Sequence, residues 1–363
     1  MKVFIGGDIY PTELTNPLYK AGDVQTIFGD VAEVMKGNDV TFINLECALG
    51  VNENPIKKFG PNLLSCPETV TALQKVGVNL IGISNNHFFD HGKSAVEESF
   101  AAFNAAGMAT VGFGKDYEDS RKDYIVEKDG QKICFIAVCE HEYTYALPDR
   151  MGCRPYDPYD TIEDIRKAKA ENDKVIVIYH GGKEHCAYPS PRTYQAFHAM
   201  AKSGADVVVG QHSHCICAYE KFGDSHLFYG QGNFNFIWDK EDPSGWNTAI
   251  EMIYDTVTNE VTFIPTVQDK TIPGTRLAKG QQKEEIMTYF AKLNASMLDG
   301  SWKDGWHKFC EEMRDYYCGA IERCCVPGET EWDHDIFGHF LDCEAHTDVW
   351  RELFPSYNLT NEK

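Results

Sequence analysis

Six short runs rich in β-branched residues, Val3–Gly7, Val40–Asn44, Leu80–Ser84, Ile133–Cys139, Val175–Tyr179 and Val207–Gly210, punctuate the first 215 residues. They constrain the fold more than any other feature. Each is almost continuously apolar rather than alternating, which is the pattern of a strand covered on both faces. Between several of them lie segments of helical period. Gly92–Ala106 is the clearest, with Ala95, Val96, Ser99, Phe100, Phe103 and Ala106 on one stripe, and Thr193–Lys202 repeats the pattern with Tyr194, Phe197 and Ala201. Buried strands alternating with helices predict an α/β fold.

The rhythm changes after Ala218. Ala218–Phe222 and Leu227–Gly230 flank Gly223-Asp224-Ser225 and predict a hairpin, and Ala249–Tyr254 with Val261–Val267 predict a second around Asn259. From about Gly280 the pattern is helical and rich in charge and aromatics. Asp304–Arg323 reads as one helix stopped before Pro327-Gly328, with shorter helices following to Phe354. These shifts place a main domain over residues 1–270 and a helical C-terminal appendage over 271–363, a cap or interaction element rather than a second catalytic unit.

Composition excludes several function classes. The chain has 34 basic and 55 acidic residues, a formal charge of −21, which argues against nucleic acid and anionic membrane as partners. No run approaches the ~18 apolar residues of a membrane span. The opening Met1–Asp8 is interrupted by acid too soon for a signal peptide, so a cytoplasmic location is expected. Thirteen cysteines without a CxxC pair read as free thiols. The C-terminal group Cys310, Cys318, Cys324, Cys325 and Cys343, with His307, His334, His339 and His346, could hold a metal, but its spacing favours buried thiols and surface imidazoles on helices.

The chemistry is concentrated at strand ends. Gly6-Gly7-Asp8, Asn44-Leu45-Glu46, Asn85-Asn86-His87, His180-Gly181-Gly182-Lys183-Glu184 and Gly210-Gln211-His212-Ser213-His214 each follow a strand-like run. Carboxylate, amide oxygen and imidazole are ligand types for hard and borderline divalent metals. Strand ends are where an open α/β sheet builds its crevice. Singly, Asp8 is an ordinary helix cap, Glu46 a solvated acid, Asn85-Asn86 a turn and His180 a half-buried histidine. Together they point to metal binding, with His212-x-His214 the most specific element.

The same ordered motifs, followed by Asp90, Gly92 and Tyr229-Gly230-Gln231-Gly232-Asn233-Phe234, resemble the capsule-biosynthesis CapA (poly-γ-glutamate synthesis) family of the calcineurin-like metallophosphoesterase superfamily. The resemblance covers roughly Lys2 to Phe236. It implies a calcineurin-like metallophosphatase four-layer sandwich, two mixed sheets flanked by helices, with the helical appendage outside it. By position, Asp8 and His214 are implied ligands of a first metal, Glu46 the bridging carboxylate, and Asn86, His180 and His212 ligands of a second. His87 is the implied proton donor or transition-state stabiliser, oriented by Asp90. Tyr10, Asn85, Lys183, Glu184, His185 and Asn233 fall beside the site as outer-shell or substrate residues. Two departures stand out. Tyr10 occupies the position where the superfamily usually has histidine, and Glu46 the position where it usually has aspartate; both weaken the first metal site.

The expectation is therefore a metal-dependent hydrolase using one or two divalent ions (Mn, Fe, Zn or Mg), most simply on a phosphoester. The substrate is a small molecule or polymer with an anionic group. The alternatives are a γ-glutamyl or amide hydrolase, and a non-catalytic scaffold with a degenerate metal site. Lys57, Lys58, Arg150, Arg154 and Arg192 read as solvated surface charge.

Overall fold

The computed structural model describes residues 1–140, 142–238, 245–326 and 331–355. Two mixed sheets dominate. The larger runs edge to edge through Gly274–Leu277, Glu260–Asp269, Thr248–Asp255, Lys2–Ile9, Val40–Leu45, Leu80–Gly82 and Ala109–Val111, with Asn233–Asn235 pairing alongside Lys2–Ile9. The smaller runs through Tyr219–Phe222, Ser225–Phe228, Val207–Gln211, Lys174–His180, Gln131–Cys139 and Tyr124–Lys128. Both expected hairpins form and are antiparallel.

Period-two alternation explains how both sheets are buried twice. Val3, Ile5, Phe42 and Leu80 of the larger sheet meet Ile133, Phe135, Ile176, Ile178, Val207 and Val209 of the smaller. Phe42 and Phe135 stack across this interface with centroids 6.3 Å apart. The intervening residues point outward. Phe4, Ile43 and Ile81 pack under helices that contribute Tyr19, Phe28, Met35, Leu73 and Phe103. Ile136, Val138, Val175, Val177 and Val208 pack under helices that contribute Ile165, Phe197, Met200 and Phe290. The result is the helix–sheet–sheet–helix sandwich that the family resemblance implies.

Helix Gly92–Ala106 has the expected bounds. Its stripe of Ala95, Val96, Ser99 and Phe103 is buried, and Gly107, at φ +62°, ends it by donating its N–H to Phe103 and Asn104 carbonyls. Helix Pro191–Lys202 starts with the Ser190 side chain accepting from the Thr193 N–H and proline in its first turn.

The tail divides in two. The strand Gly274–Leu277 still belongs to the larger sheet, so the helical segment begins at Gly280 rather than at residue 271. Helix Gly280–Asp299 lays Ile286, Phe290, Leu293 and Met297 on the outer face of the smaller sheet. Helices Trp302–Cys324, Glu331–Asp342 and Glu344–Leu353 form their own cluster around Trp306, Cys310, Tyr317, Phe340 and Val349. The expected stop at Pro327-Gly328 lies outside the described residues. Among the described residues no disulfide joins the thirteen cysteines, and no helix is long and apolar enough to cross a membrane.

Candidate metal centre

Parallel register carries the site. Asp8 pairs with Asn44 on one side and Asn233 on the other, and His180 pairs with Gln211. Within each sheet these positions are level, and residues at or just beyond them approach one another in a single crevice. Gly7 has no room for a side chain: a Cβ there would collide with the Gly232 carbonyl oxygen. That close backbone approach sets Asp8 against the Asn233 strand.

Inside the crevice His180 is the hub. Its Nε2 is 2.8 Å from Asn86 Oδ1 and 3.4 Å from Glu46 Oε1, and its Nδ1 is 3.7 Å from Asp8 Oδ1. Glu46 Oε1 is in turn 3.8 Å from His214 Nε2. Glu46, His212 and His214 each present a ligand atom within 4.8 Å of the others. Neighbouring ligands of one cation with bonds of ~2.1 Å stand roughly 3–3.5 Å apart, so these spacings suit shared coordination. Asp8, Glu46 and His180 are essentially fully buried.

The backbone bends to make this arrangement. His212 and His214 have φ of +84° and +52°, and His185 has +63°, a conformation that costs non-glycine residues free energy and persists where the surroundings enforce it. The turn swings both imidazoles of His212-x-His214 to one side, with ring centroids 5.7 Å apart, and sets His212 4.9 Å from the ring of His180.

The electrostatics ask for a cation. Neither Glu46 oxygen accepts a hydrogen bond from the described residues, although both are buried. Burial raises the pKa of Glu46 above the carboxylate range, and burial together with the neighbouring Glu46 does the same to Asp8. Burial depresses His180 to about 3, so it is neutral at pH 7, the state in which imidazole coordinates. For His214, burial works against the charged form, but Glu46, Glu184 and Asp8 together raise its pKa. A buried carboxylate without donors, beside the neutral imidazole of His180, fits a divalent ion on donor chemistry and geometry alike.

Supporting contacts fix the orientations. Asp8 Oδ1 accepts from Asn44 Nδ2 at 2.7 Å, and Oδ2 from the His212 N–H at 2.9 Å, leaving each oxygen a further lone pair. Asn85 Nδ2 donates to Asn44 Oδ1 and to the Leu45 carbonyl, and its Oδ1 accepts from the His87 N–H. His214 Nδ1 meets Asn233 Oδ1 at 2.8 Å, leaving Nε2 toward Glu46.

Beside this set, His87 Nδ1 is 2.6 Å from Asp90 Oδ2. Asp90 Oδ1 is 2.5 Å from Lys58 Nζ, with both side chains buried. Burial works against the Asp90 charge, but His87 and Lys58 hold its pKa below the usual range. Lys58 is therefore an internal partner of the site rather than solvated charge. Arg154 and Arg192 also depart from that expectation. Arg154 is buried between Asp123 and Asp164. Arg192 bridges Glu140 and Asp348.

Lys183, Glu184 and His185 line the same cavity as Asn86, His87 and His212, a space of about 330 Å³. Glu184 Oε1 is 3.9 Å from His212 Nε2. Tyr10 lies elsewhere: it packs edge-on against Phe236 and lines a separate cleft with Thr12, Leu63 and Trp238. Sequence reasoning missed two contributors. Lys58 carries no local signal. Glu140, whose carboxylate accepts from the Gly182 N–H at 2.5 Å, follows a strand end at Cys139 as the other site residues do, and that position was the available clue.

The roof of the cavity comes from the C-terminal helices, through Met313, Tyr316, His339, Phe340, Cys343 and His346. Asp348 fastens them, accepting from Ser190 Oγ at 2.7 Å and from Arg192 Nε at 2.9 Å.

Residues 2–237 match the family described as "Bacterial capsule synthesis protein PGA_cap". The "Capsule biosynthesis protein CapA" of Bacillus anthracis is 26% identical over 239 residues, covering 63% of this chain and 58% of that protein. The "PGA biosynthesis protein CapA" of Bacillus subtilis (strain 168) is 26% identical over 234 residues, covering 63% and 62%. The match therefore spans about three-fifths of the length of these relatives. A solved hypothetical protein from Thermus thermophilus aligns with a TM-score of 0.45 at 14% identity, over 73% of this chain and 98% of that one.

Proposed function

The chain belongs to the bacterial capsule synthesis protein PGA_cap family, and from that premise we propose that its strand-end site is a divalent-metal centre that hydrolyses an anionic ester in capsule-related metabolism. The observation that carries this reading is Glu46: a buried carboxylate with no hydrogen-bond donor among the described residues, ringed by His180, His212 and His214. Such a group is costly to bury unless a cation completes it.

Asp8, Glu46, Asn86, His180, His212 and His214 would hold the metal. When bound, a divalent ion supplies Lewis acidity toward a phosphoryl oxygen and toward water. The protein's own groups do the rest. Asp90 holds His87 through Nδ1, which leaves Nε2 to deliver a proton to a leaving oxygen in the cavity. Lys58 keeps Asp90 charged in a buried setting, so the His87 ring stays in one orientation. Lys183 on the cavity wall offers the positive charge that an anionic substrate needs in a chain of net charge −21.

A γ-glutamyl substrate is the second reading, favoured by the similarity to the "PGA biosynthesis protein CapA" of Bacillus subtilis. Metal analysis of the purified protein, followed by hydrolysis of an aryl phosphodiester with added Mn²⁺, tests the proposal. Bound metal with turnover supports it. Bound metal without turnover on the ester, but with release of glutamate from a γ-glutamyl peptide, favours the second reading. Neither metal nor turnover leaves a scaffold.

A further inference from the structure

A second cluster of ligand atoms faces the same cavity from the roof. His339, Cys343 and His346 each present one ligand atom within 4.8 Å of the others, and all three line the cavity. They lie on helices outside the region matched by the family, which ends at residue 237. We propose that these three residues form a distinct zinc-class site, with its remaining coordination position open to the cavity. Sequence spacing alone reads them as ordinary helix residues; the turn between two helices is what brings them together.

Local structure accounts for the convergence. Helix Glu331–Asp342 ends where Cys343 begins the helix Glu344–Leu353. The Cys343 N–H donates to the His339 carbonyl at 3.0 Å, and the His346 N–H to the Cys343 carbonyl at 3.1 Å. The extended backbone of Cys343, at φ −85° and ψ 125°, turns the chain between the two helices and lets the three side chains converge.

The rings are held as metal ligands usually are. Tyr143 Oη is 3.1 Å from Nδ1 of His339, and Tyr317 Oη is 2.5 Å from Nδ1 of His346. Each Nδ1 is engaged by a phenol oxygen, the kind of outer partner that fixes the tautomer and direction of a ligating imidazole. His339 is stacked on Phe59 and Tyr143, and His346 on Phe340. The rings therefore cannot swing away without breaking aromatic contacts.

Ligand type separates this site from the strand-end centre. Two imidazoles and a thiolate suit zinc or cobalt, whereas the carboxylate- and amide-rich set below suits harder ions. Binding releases the thiol proton to solvent as the sulfur–metal bond forms. Three protein ligands leave a position for water or for an anionic group of whatever occupies the cavity. This inference does not rest on the hydrolase reading, since a scaffold could carry the same site.

Cobalt(II) titration of the full-length, metal-stripped protein tests it. Only a thiolate ligand gives a sulfur-to-cobalt charge-transfer band in the near ultraviolet, and the strand-end ligand set contains no sulfur. The expected result is that band in the native chain, its loss in Cys343→Ser, and zinc affinity weakened more than about tenfold in His339→Gln. No band in the native chain overturns the proposal, and so does a band of full strength in Cys343→Ser, which would assign it to another cysteine. Should Cys343→Ser not fold, His339→Gln decides: unchanged zinc affinity there overturns the site.

Discussion

Glu46 Oε1 stands 3.4 Å from His180 Nε2, and the described residues offer that carboxylate no hydrogen-bond donor. A metal held there adds its binding free energy to folding, about 2.7 kcal/mol when free ion exceeds Kd a hundredfold. Excess Mn²⁺ is therefore expected to raise the thermal midpoint of the native chain. The rise should be largely lost in Glu46→Gln and in His180→Ala, with far-ultraviolet circular dichroism unchanged. An undiminished rise in both variants would place the metal elsewhere.

The Lys58–Asp90 pair is buried on both sides. Lys58→Met strands the Asp90 charge and should cost about 3–5 kcal/mol of stability. Adding Asp90→Asn should return most of that loss, so a double-mutant cycle by urea denaturation gives a large coupling energy. Additive losses would show that the two charges act independently.

Asp90→Asn alone probes positioning. His87 loses its charged acceptor, and kcat toward an aryl phosphodiester should fall roughly 10–100-fold while metal content stays the same. Equal activity at every pH would remove Asp90 from any part in orienting His87.

Glu251, whose charge Asp8 also opposes, gives a pH signature beside the candidate metal centre. Burial raises its pKa from 4.5 to about 8, despite hydrogen bonds from the Gly7 N–H and Thr266 Oγ1 that lower it. The native state thus retains a proton that the unfolded chain gives up. Stability from this group is fully present below pH 4.5 and is lost as pH rises toward 8, by an amount on the order of 5 kcal/mol. Glu251→Gln keeps both hydrogen bonds, because its amide oxygen accepts from Gly7 and its NH₂ donates to the threonine oxygen. That variant should flatten the fall in stability between pH 5 and 8; a slope equal to that of the native chain would refute the assignment.

Asp348 ties the roof to the sandwich through Ser190 and Arg192. Replacing it with alanine removes charge-assisted hydrogen bonds worth about 1.5–3 kcal/mol each. Amide exchange in Glu331–Asp342 and Glu344–Leu353 should accelerate at least about tenfold, with protection of the central strands unchanged. Uniform acceleration across the chain would indicate global destabilisation instead.

Much of the fold was legible because strands covered on both faces leave an unbroken apolar signature. Val40–Asn44 and Ile133–Cys139 lie within the observed strands, and Gly92–Ala106 matches its helix. The division into two facing sheets was not legible from periodicity. Phe4 and Ile5 point to opposite faces, yet both faces are apolar, so composition cannot say which one meets a second sheet. Short pairings such as Asn233–Asn235 beside Lys2–Ile9 depend on distant register and leave no local trace.

At the site, candidate ligand positions could be picked out because each implied ligand lies at or shortly beyond a strand end. Tyr10 could not be placed, since its ring direction depends on Phe236, more than two hundred residues away. Lys58 was read as surface charge because nothing near it in sequence announces a buried acid; its partner Asp90 arrives through the fold.

The roof also limits what can be cut. A space of about 330 Å³ beneath Tyr316, Phe340 and His346 accommodates one or two monomer-sized units, not the middle of a long strand passing across the metals. Under the hydrolase reading, a polymeric target would be expected to enter by a terminus and to be shortened by small fragments one at a time. A time course would then show monomer accumulating while the average chain length declines slowly.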